Sequence, residues 1–268
     1  MHTELFSSHE HTGPVTIRVE SRYLDLKVNI GDRFHASLSG PDEVHEGATA
    51  YFDGSTLTVD IPKLSDTWMN SWRGVPRDFK STVEVTVPAG SSLDATLDVG
   101  SVKTHGRLEG ADVKTNAGSV NIEEASRIKF HGDAGNLKVG KVESVDAKCD
   151  AGQIVIKNLR DGVLKTSAGR ISVGEVLNSL TASADAGSIR VKYAGASDID
   201  AKASLGSIRI AVARGISVYA DCHATAGSVR TDLKEAAEPT PGAPVARIKA
   251  RTDLGSIKLE RVDARLGD

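Results

Sequence analysis

Residues 183–191 read SADAGSIRV, and residues 202–210 read KASLGSIRI. The second stretch restates the first nineteen residues on, with the same glycine, serine, isoleucine and arginine in the same order. Aligning the chain on that glycine gives nine copies: DVGSV, NAGSV, DAGNL, DAGQI, SAGRI, DAGSI, SLGSI, TAGSV and DLGSI. Their glycines are Gly100, Gly118, Gly135, Gly152, Gly169, Gly187, Gly206, Gly227 and Gly255, separated by 18, 17, 17, 17, 18, 19, 21 and 28 residues. A short motif recurring at a nearly fixed interval is the signature of a solenoid, in which each copy is one rung.

The residues around each glycine say what kind of rung. Two positions on stand Val102, Val120, Leu137, Ile154, Ile171, Ile189, Ile208, Val229 and Ile257, all aliphatic. The next residue is mostly polar, and the one after it is mostly aliphatic again. Alternation with a period of two is a strand with one buried face. A second strand precedes the glycine, as in VDAKCDAG (145–152) and IDAKASLG (199–206), with Val145, Ala147 and Cys149 on its inward side. Cys222 falls at the equivalent inward place, which predicts a buried, inert thiol. If the rungs stack in chain order, Cys149 and Cys222 are four rungs or about 19 Å apart, too far for a disulfide. The chain therefore reads as an all-β protein, a parallel β-helix or β-solenoid of about nine coils of 17–19 residues behind an N-terminal β-rich cap.

The cap is read over residues 14–90, which lack the repeat but alternate strongly, as in PVTIRVE, YLDLKVNI and STVEVTVPAG. Asp53–Gly54 is a hairpin turn signal within it. Within 64–78, LSDTWMNSWRGVPRD breaks the alternation and carries Trp68, Trp72 and Arg73, a candidate interaction patch or a lid on the end of the solenoid. The repeat region is read over 91–260, with a Pro/Gly-rich surface loop at 235–246 between the last two rungs. Residues 1–13, including the HEH run from His9 to His11, are expected to be a flexible end, and 261–268 a charged tail.

Composition narrows the function classes. With 33 basic and 36 acidic residues the formal net charge is −3, which gives no electrostatic case for nucleic acid. No stretch approaches the roughly 18 apolar residues of a membrane span. The N-terminal sequence MHTELFSSHEHTGP lacks the basic start and apolar run of a secretory leader, so a cytoplasmic location is expected. Only two cysteines occur, fewer than a disulfide framework needs.

The ordered series TNAGSVNI, TSAGRISV and TDLGSIKLE follows a strand-rich start with VTIRVESRYLDLKV and VEVTVPAGSSLDATLDVGSV. In this the chain resembles the bacterial "putative adhesin" family, a group of Gly-centred β-strand repeats largely of unknown function. The resemblance spans about residues 14–260. It implies a β-helical fold and, in actinobacterial members of this size, often a soluble protein without a leader. It brings no catalytic residues.

Several rows of side chains could carry chemistry. Two residues before each glycine stand Asp98, Asn116, Asp133, Asp150, Ser167, Asp185, Ser204, Thr225 and Asp253. Such an oxygen ladder could hold Ca²⁺, but turn residues of this kind commonly bond their own backbone instead. We read no metal and no cofactor. On the outer face before the corner, Asp94, Asp112, Asp146, Asp200 and Asp221 lie near Lys114, Lys148, Lys165, Lys202, Arg251, His131 and His223, a pattern of compensating charges. After the corner runs a basic row with fewer acidic neighbours: Lys103, Lys138, Arg190, Arg209, Arg230 and Lys258. That row is the candidate interaction face, suited to an acidic partner. Aromatics are 4% of the chain, too few for the platforms of a sugar site, and no nucleophile elbow, zinc-protease or phosphate-loop motif is present. The expected function is a non-catalytic scaffold or protein-interaction module, with a protein partner or self-association. The alternatives are a self-assembling structural protein resembling bactofilins, a cell-surface adhesin and a carbohydrate-active enzyme.

Overall fold

The computed structural model describes residues 2–8, 11–40, 47–61, 81–233 and 244–263. The chain divides into two compact units, Met1–Ser126 and Arg127–Asp268. Its strands are β1 (His2–Ser8), β2 (Thr16–Ile30), β3 (Phe34–Ser39), β4 (Thr49–Phe52), β5 (Thr56–Asp60), β6 (Thr82–Val87), β7 (Ser92–Ala194), β8 (Asp198–Ala213), β9 (Ser217–Thr231) and β10 (Val245–Val262). The length of β7 reflects the corners. They keep their pairing to the neighbouring rung, as Gly187 does with Gly206, so the strand continues through them.

Glycine makes those corners possible. Gly152 has φ +145°, and a Cβ built on it would lie 1.7 Å from the carbonyl oxygen of Gly135. The same contact recurs where Gly169 sits against Gly152, Gly187 against Gly169, and Gly206 against Gly187. Each rung thus rests on the bare backbone of the one before, and any side chain there would hold the rungs apart.

In the first unit, rung geometry begins earlier than the glycine repeat. β2 pairs in parallel with the start of β7, Ile17 opposite Leu93, Leu24 opposite Gly100 and Leu26 opposite Val102. On its other edge β2 carries a split rung, β5 against Thr16–Glu20 and β6 against Asp25–Ile30, both parallel. Parallel stacking then stops. β4 is antiparallel to β5, β3 antiparallel to β6, and β1 antiparallel to β3. The expected turn at Asp53–Gly54 closes the β4–β5 hairpin, with Gly54 at φ +99°.

The expectation of a loose end over residues 1–13 fails for His2–Ser8, which form β1 on β3. The reason is aromatic packing. The rings of Phe6 and Phe34 lie 4.8 Å apart, Phe34 and Phe52 meet edge to face at 5.0 Å, and His11 lies 4.8 Å from Phe52. Such a cluster anchors a terminal strand that alternation alone would leave unassigned. His9 and Glu10 lie outside the described residues.

In the second unit, rungs stack on the glycine column, and the columns beside it run in register. Ile189 opposes Ile208, Ile208 opposes Ile257, and Ile257 opposes Val229. Ile189, Ile208 and Ile257 are at most 1% exposed. Full burial of an isoleucine contributes about 1.5–3 kcal/mol, so this column is a principal source of stability.

The order of the last rungs departs from the sequence. β10 pairs with β8 on one side and β9 on the other, so the order is β8-β10-β9. The final copy in the chain fills the penultimate level, and the copy before it forms the end. Two physical differences favour this. β10 turns Ala246, Ile248, Ala250, Ile257 and Leu259 inward, all at most 2% exposed. β9 places Ala220, Ala224, Val229 and Thr231 opposite Ile248, Thr252, Ile257 and Leu259, and these smaller side chains lose less at an end. Stacking β9 directly on β8 would also oppose Asp221 to Asp200, and β10 places Lys249 between them. The crossing is fastened by Arg261, whose Nη1 donates to the carbonyl oxygens of Ala213 at 2.8 Å and Ile216 at 2.9 Å.

Among the described residues the rung order of the second unit ends at β9. Two expectations change with this order. The two cysteines are separated by one more step than chain order implies, about 24 Å at about 4.8 Å per rung. Cys222 is half-buried rather than buried, while Cys149 is fully buried, and both thiols are free. Of the loop expected at 235–246, Val245 and Ala246 belong to β10 instead, and the carbonyl of Pro244 just before them accepts from the Ser217 amide at 3.2 Å. The remainder lies outside the described residues.

Candidate interaction face

The arm after each corner is built the same way: glycine, a polar residue, an aliphatic residue turned inward, then an outward residue. Inward aliphatics fix the strand's rotation, so the next side chain must point to solvent. In the last four rungs of the second unit that outward residue is basic every time. Arg190 opposes Arg209, Arg209 opposes Lys258, and Lys258 opposes Arg230. Beside them run Ser188, Ser207, Ser256 and Ser228, in the same register. The result is an unbroken ladder of four cations, stepped at about 4.8 Å, next to a ladder of hydroxyls.

Like charges directly opposite each other on neighbouring strands are destabilising. One carboxylate offsets part of this. Glu260 accepts from the Lys258 ammonium at 2.6 Å. That hydrogen bond, followed by the charges of Lys258, Arg209 and Arg190, holds the Glu260 carboxyl below its ordinary value against a smaller opposing effect of burial. Lys192 adds a further exposed cation two residues beyond Arg190.

The rest of the basic row is elsewhere. Lys138 belongs to the same unit, but the two intervening rungs carry Val155 and Ser172 at its position. Lys103 lies in the other unit, in register with Lys27, which in turn opposes Glu84. Trp68, Trp72 and Arg73 lie outside the described residues. Sequence order alone separates Lys258 from Arg209 by Arg230. The structure makes Lys258 the link between them, and the Asp200–Asp221 conflict was the signal for it.

The arm before the corner is compensated, as its composition suggests, but across rungs. Arg247 pairs with Asp198 at 3.5 Å, Lys249 with Asp200 at 4.0 Å, and Arg251 with Asp221 at 3.3 Å. These pairs are about half exposed, so each contributes roughly 0–1 kcal/mol. In the oxygen row, Asn116 donates to Asp98 at 3.1 Å, and Lys148 lies 3.4 Å from Asp150. Among the described residues no three His, Cys, Asp or Glu side chains converge as metal ligands. A shallow groove of about 560 Å³ lies over Gly152, Gly169 and Gly187, walled by Asn136, Gln153 and Arg170. Its floor is backbone, and it holds no paired carboxylates. No helix among the described residues is long and apolar enough to cross a membrane.

These features define a class: a β-solenoid of glycine-cornered rungs with a cationic ladder on its outer face. The chain belongs to the Toastrack DUF4097 family, whose model matches residues 11–260. No curated protein matches it. Among solved structures it is similar to a "putative lipid binding protein" from Parabacteroides distasonis, with 12% identity over 98% of this chain and 96% of that one and a TM-score of 0.56. It is also similar to a "putative adhesin" from Parabacteroides merdae, with 11% identity over 98% and 95% and a TM-score of 0.53. Identity at that level is a likeness of fold alone. It agrees with the "putative adhesin" resemblance and the β-solenoid reading made from the repeat.

Proposed function

We propose that this protein is a non-catalytic scaffold whose ladder of Arg190, Arg209, Lys258 and Arg230 docks an acidic segment of a partner protein, in the cytoplasm. The observation that carries this is the register itself. Among the described residues, four cations lie in one row, with Glu260 bonded to Lys258 and Asp232 two residues beyond Arg230, on a chain whose net charge is −3. A row of stacked cations is costly to the free protein, and a partner carboxylate lying along it relieves the repulsion of several at once. Ser188, Ser207, Ser256 and Ser228 supply hydroxyls to the same partner. The backbone beneath is hydrogen-bonded sheet, so binding orders no backbone on this side and costs only the freedom of the long side chains.

The test is fluorescence anisotropy with a labelled peptide of alternating glutamate and serine, against an oligonucleotide of matched charge. Saturable peptide binding that weakens with salt is expected, with loss in the Arg190→Glu/Arg209→Glu/Arg230→Glu variant and retention in Lys103→Glu. Equal affinity of the wild type and the triple variant would remove the ladder as the docking face. Preference for the oligonucleotide would overturn the choice of partner. Native protein found only in a membrane or extracellular fraction would contradict the compartment.

A further inference from the structure

Strand β9 ends the rung order of the second unit, and among the described residues only β10 pairs with it. Its inward column is correspondingly bare. Ile248, Ala250, Thr252 and Ile257 on β10 are at most 2% exposed, whereas their partners Ala220, Cys222, Ala224 and Val229 are half-buried or exposed, Val229 to 43%. Such an end presents a row of unpaired N–H and C=O groups beside an open apolar column. Between Ser217 and Thr231 there is no proline, and the register with β10 is continuous from Val218 to Ala224.

We propose that β9 pairs antiparallel with β9 of a second copy of this chain, about a two-fold axis at Cys222. The residues on the arm are complementary under that operation. Asp221 of each copy faces His223 of the other, Ala220 faces Ala224, and Cys222 faces itself. Inward residues meet inward residues, so the apolar columns of the two copies join. Moving the axis one residue either way sets Asp221 against Asp221 or His223 against His223, an unfavourable opposition of like groups. Moving it half a residue sets inward side chains against outward ones and loses the shared core. Asp221 already holds Arg251 on its β10 side at 3.3 Å, and Arg251 is in register with His223. The second copy's His223 therefore meets a carboxylate that is fixed in place. The contact is isologous and uses up the edge, so it closes at a dimer and does not propagate. It involves neither Arg190 nor Arg209, and it stands whether or not the acidic docking does.

The full chain is examined by sedimentation equilibrium over a wide concentration series, with diamide cross-linking. A reversible dimer is expected. Cys222 should give an inter-copy disulfide, two thiols passing two electrons and two protons to diamide, because directly opposed residues of an antiparallel pair lie about 4.5–5.5 Å apart at Cα. His223→Asp faces Asp221 with a second carboxylate across the axis, while Arg251 on its own chain supports the new charge, so loss of the dimer is expected, with an unchanged melting curve at dilutions where the wild type is monomeric. As a check on register, in a Cys222→Ser background, mixed Ala220→Cys and Ala224→Cys copies should cross-link and Ala220→Cys alone should not. A monomer at every concentration overturns the proposal. So does a dimer that survives His223→Asp and leaves Cys222 unlinked, since the copies then meet elsewhere.

Discussion

Lys249 and Asp200 lie in register on adjacent rungs, Nζ 4.0 Å from Oδ2, and they meet only because β10 is laid down out of chain order. On its other side Lys249 is in register with Asp221. One ammonium thus separates two carboxylates that sequential stacking would oppose. Lys249→Ala should destabilise the fold by a few tenths of a kcal/mol and Lys249→Glu by about 1 kcal/mol, since the second change adds repulsion to lost attraction. Urea midpoints at low salt should resolve the difference. In molar salt it should shrink, because these groups are about half exposed and screened. A gap between the two variants that ignores salt would mean that packing of the lysine stem, and not charge, holds β10 in place.

The glycine column sets a steeper test. A Cβ at Gly152 would lie 1.7 Å from the Gly135 carbonyl oxygen, which is backbone and cannot move without parting the rungs. Gly152→Ala should cost about 3 kcal/mol or more, through strain at φ +145° together with the displaced rung. Gly195 has nothing within 4 Å of its Cβ position and an ordinary φ. Gly195→Ala should be neutral or stabilise by up to about 1 kcal/mol through the unfolded chain. Equal losses at both sites would remove close approach as the reason for glycine in the corners.

What the sequence shows and what it hides follow from the same physics. Rung content is local: Gly187, Ile189 and Val191 announce a corner and an inward face within five residues, and the columns of the structure are those columns. Rung order is a comparison between distant segments, so it was not legible by reading along the chain. It would have needed weighing the Ile248–Ala250 arm against the Ala220–Cys222 arm and noticing the Asp200–Asp221 conflict. The β2 rung of the first unit was hidden for a different reason. At the position that Gly100 occupies, β2 has Leu24, so the strand stacks as a rung without carrying the repeat's mark. β1 was hidden because Phe6 packs on Phe34 and Phe52, contacts that no periodicity encodes.

The two thiols should respond differently to solvent. Cys149 is fully buried and Cys222 half-buried, so a bulky disulfide reagent should modify Cys222 in the folded protein and Cys149 only on unfolding. Burial, the main cause, raises both thiols above the ordinary value of 9.0. The sign follows from which state ionises first. Below about pH 9 the thiol is protonated folded and unfolded, and its contribution is intact. As pH rises further, the unfolded chain ionises first and the folded protein loses stability until its own raised value is passed. Between pH 8 and pH 10.5 the wild type should therefore lose more stability than Cys149→Ala in paired urea titrations. Parallel losses would show that Cys149 ionises as freely inside the fold as outside it.

At the β4–β5 turn the same logic runs with the opposite sign. Asp53 accepts from the amide of Ser55 at 2.9 Å, the amide of Thr56 at 2.7 Å and the Ser55 hydroxyl at 3.0 Å. Those bonds, the Ser55 amide first, hold its carboxyl below the ordinary value of 3.8 although the group is open to solvent. The ionised form is the better acceptor, so the turn's support is complete above that value and fades as pH falls through the depressed one. Carbon-detected NMR titration should place the Asp53 carboxyl below the unfolded-chain value, and the Ser55 and Thr56 amide shifts should move with it. Asp53→Ala should speed hydrogen exchange at Ser55 and Thr56 while leaving the Ile208 amide in β8 unchanged, because the lost bonds are local to the hairpin. If the carboxyl titrates at its ordinary value and those two amides do not follow it, the turn is closed by Gly54 and strand pairing alone.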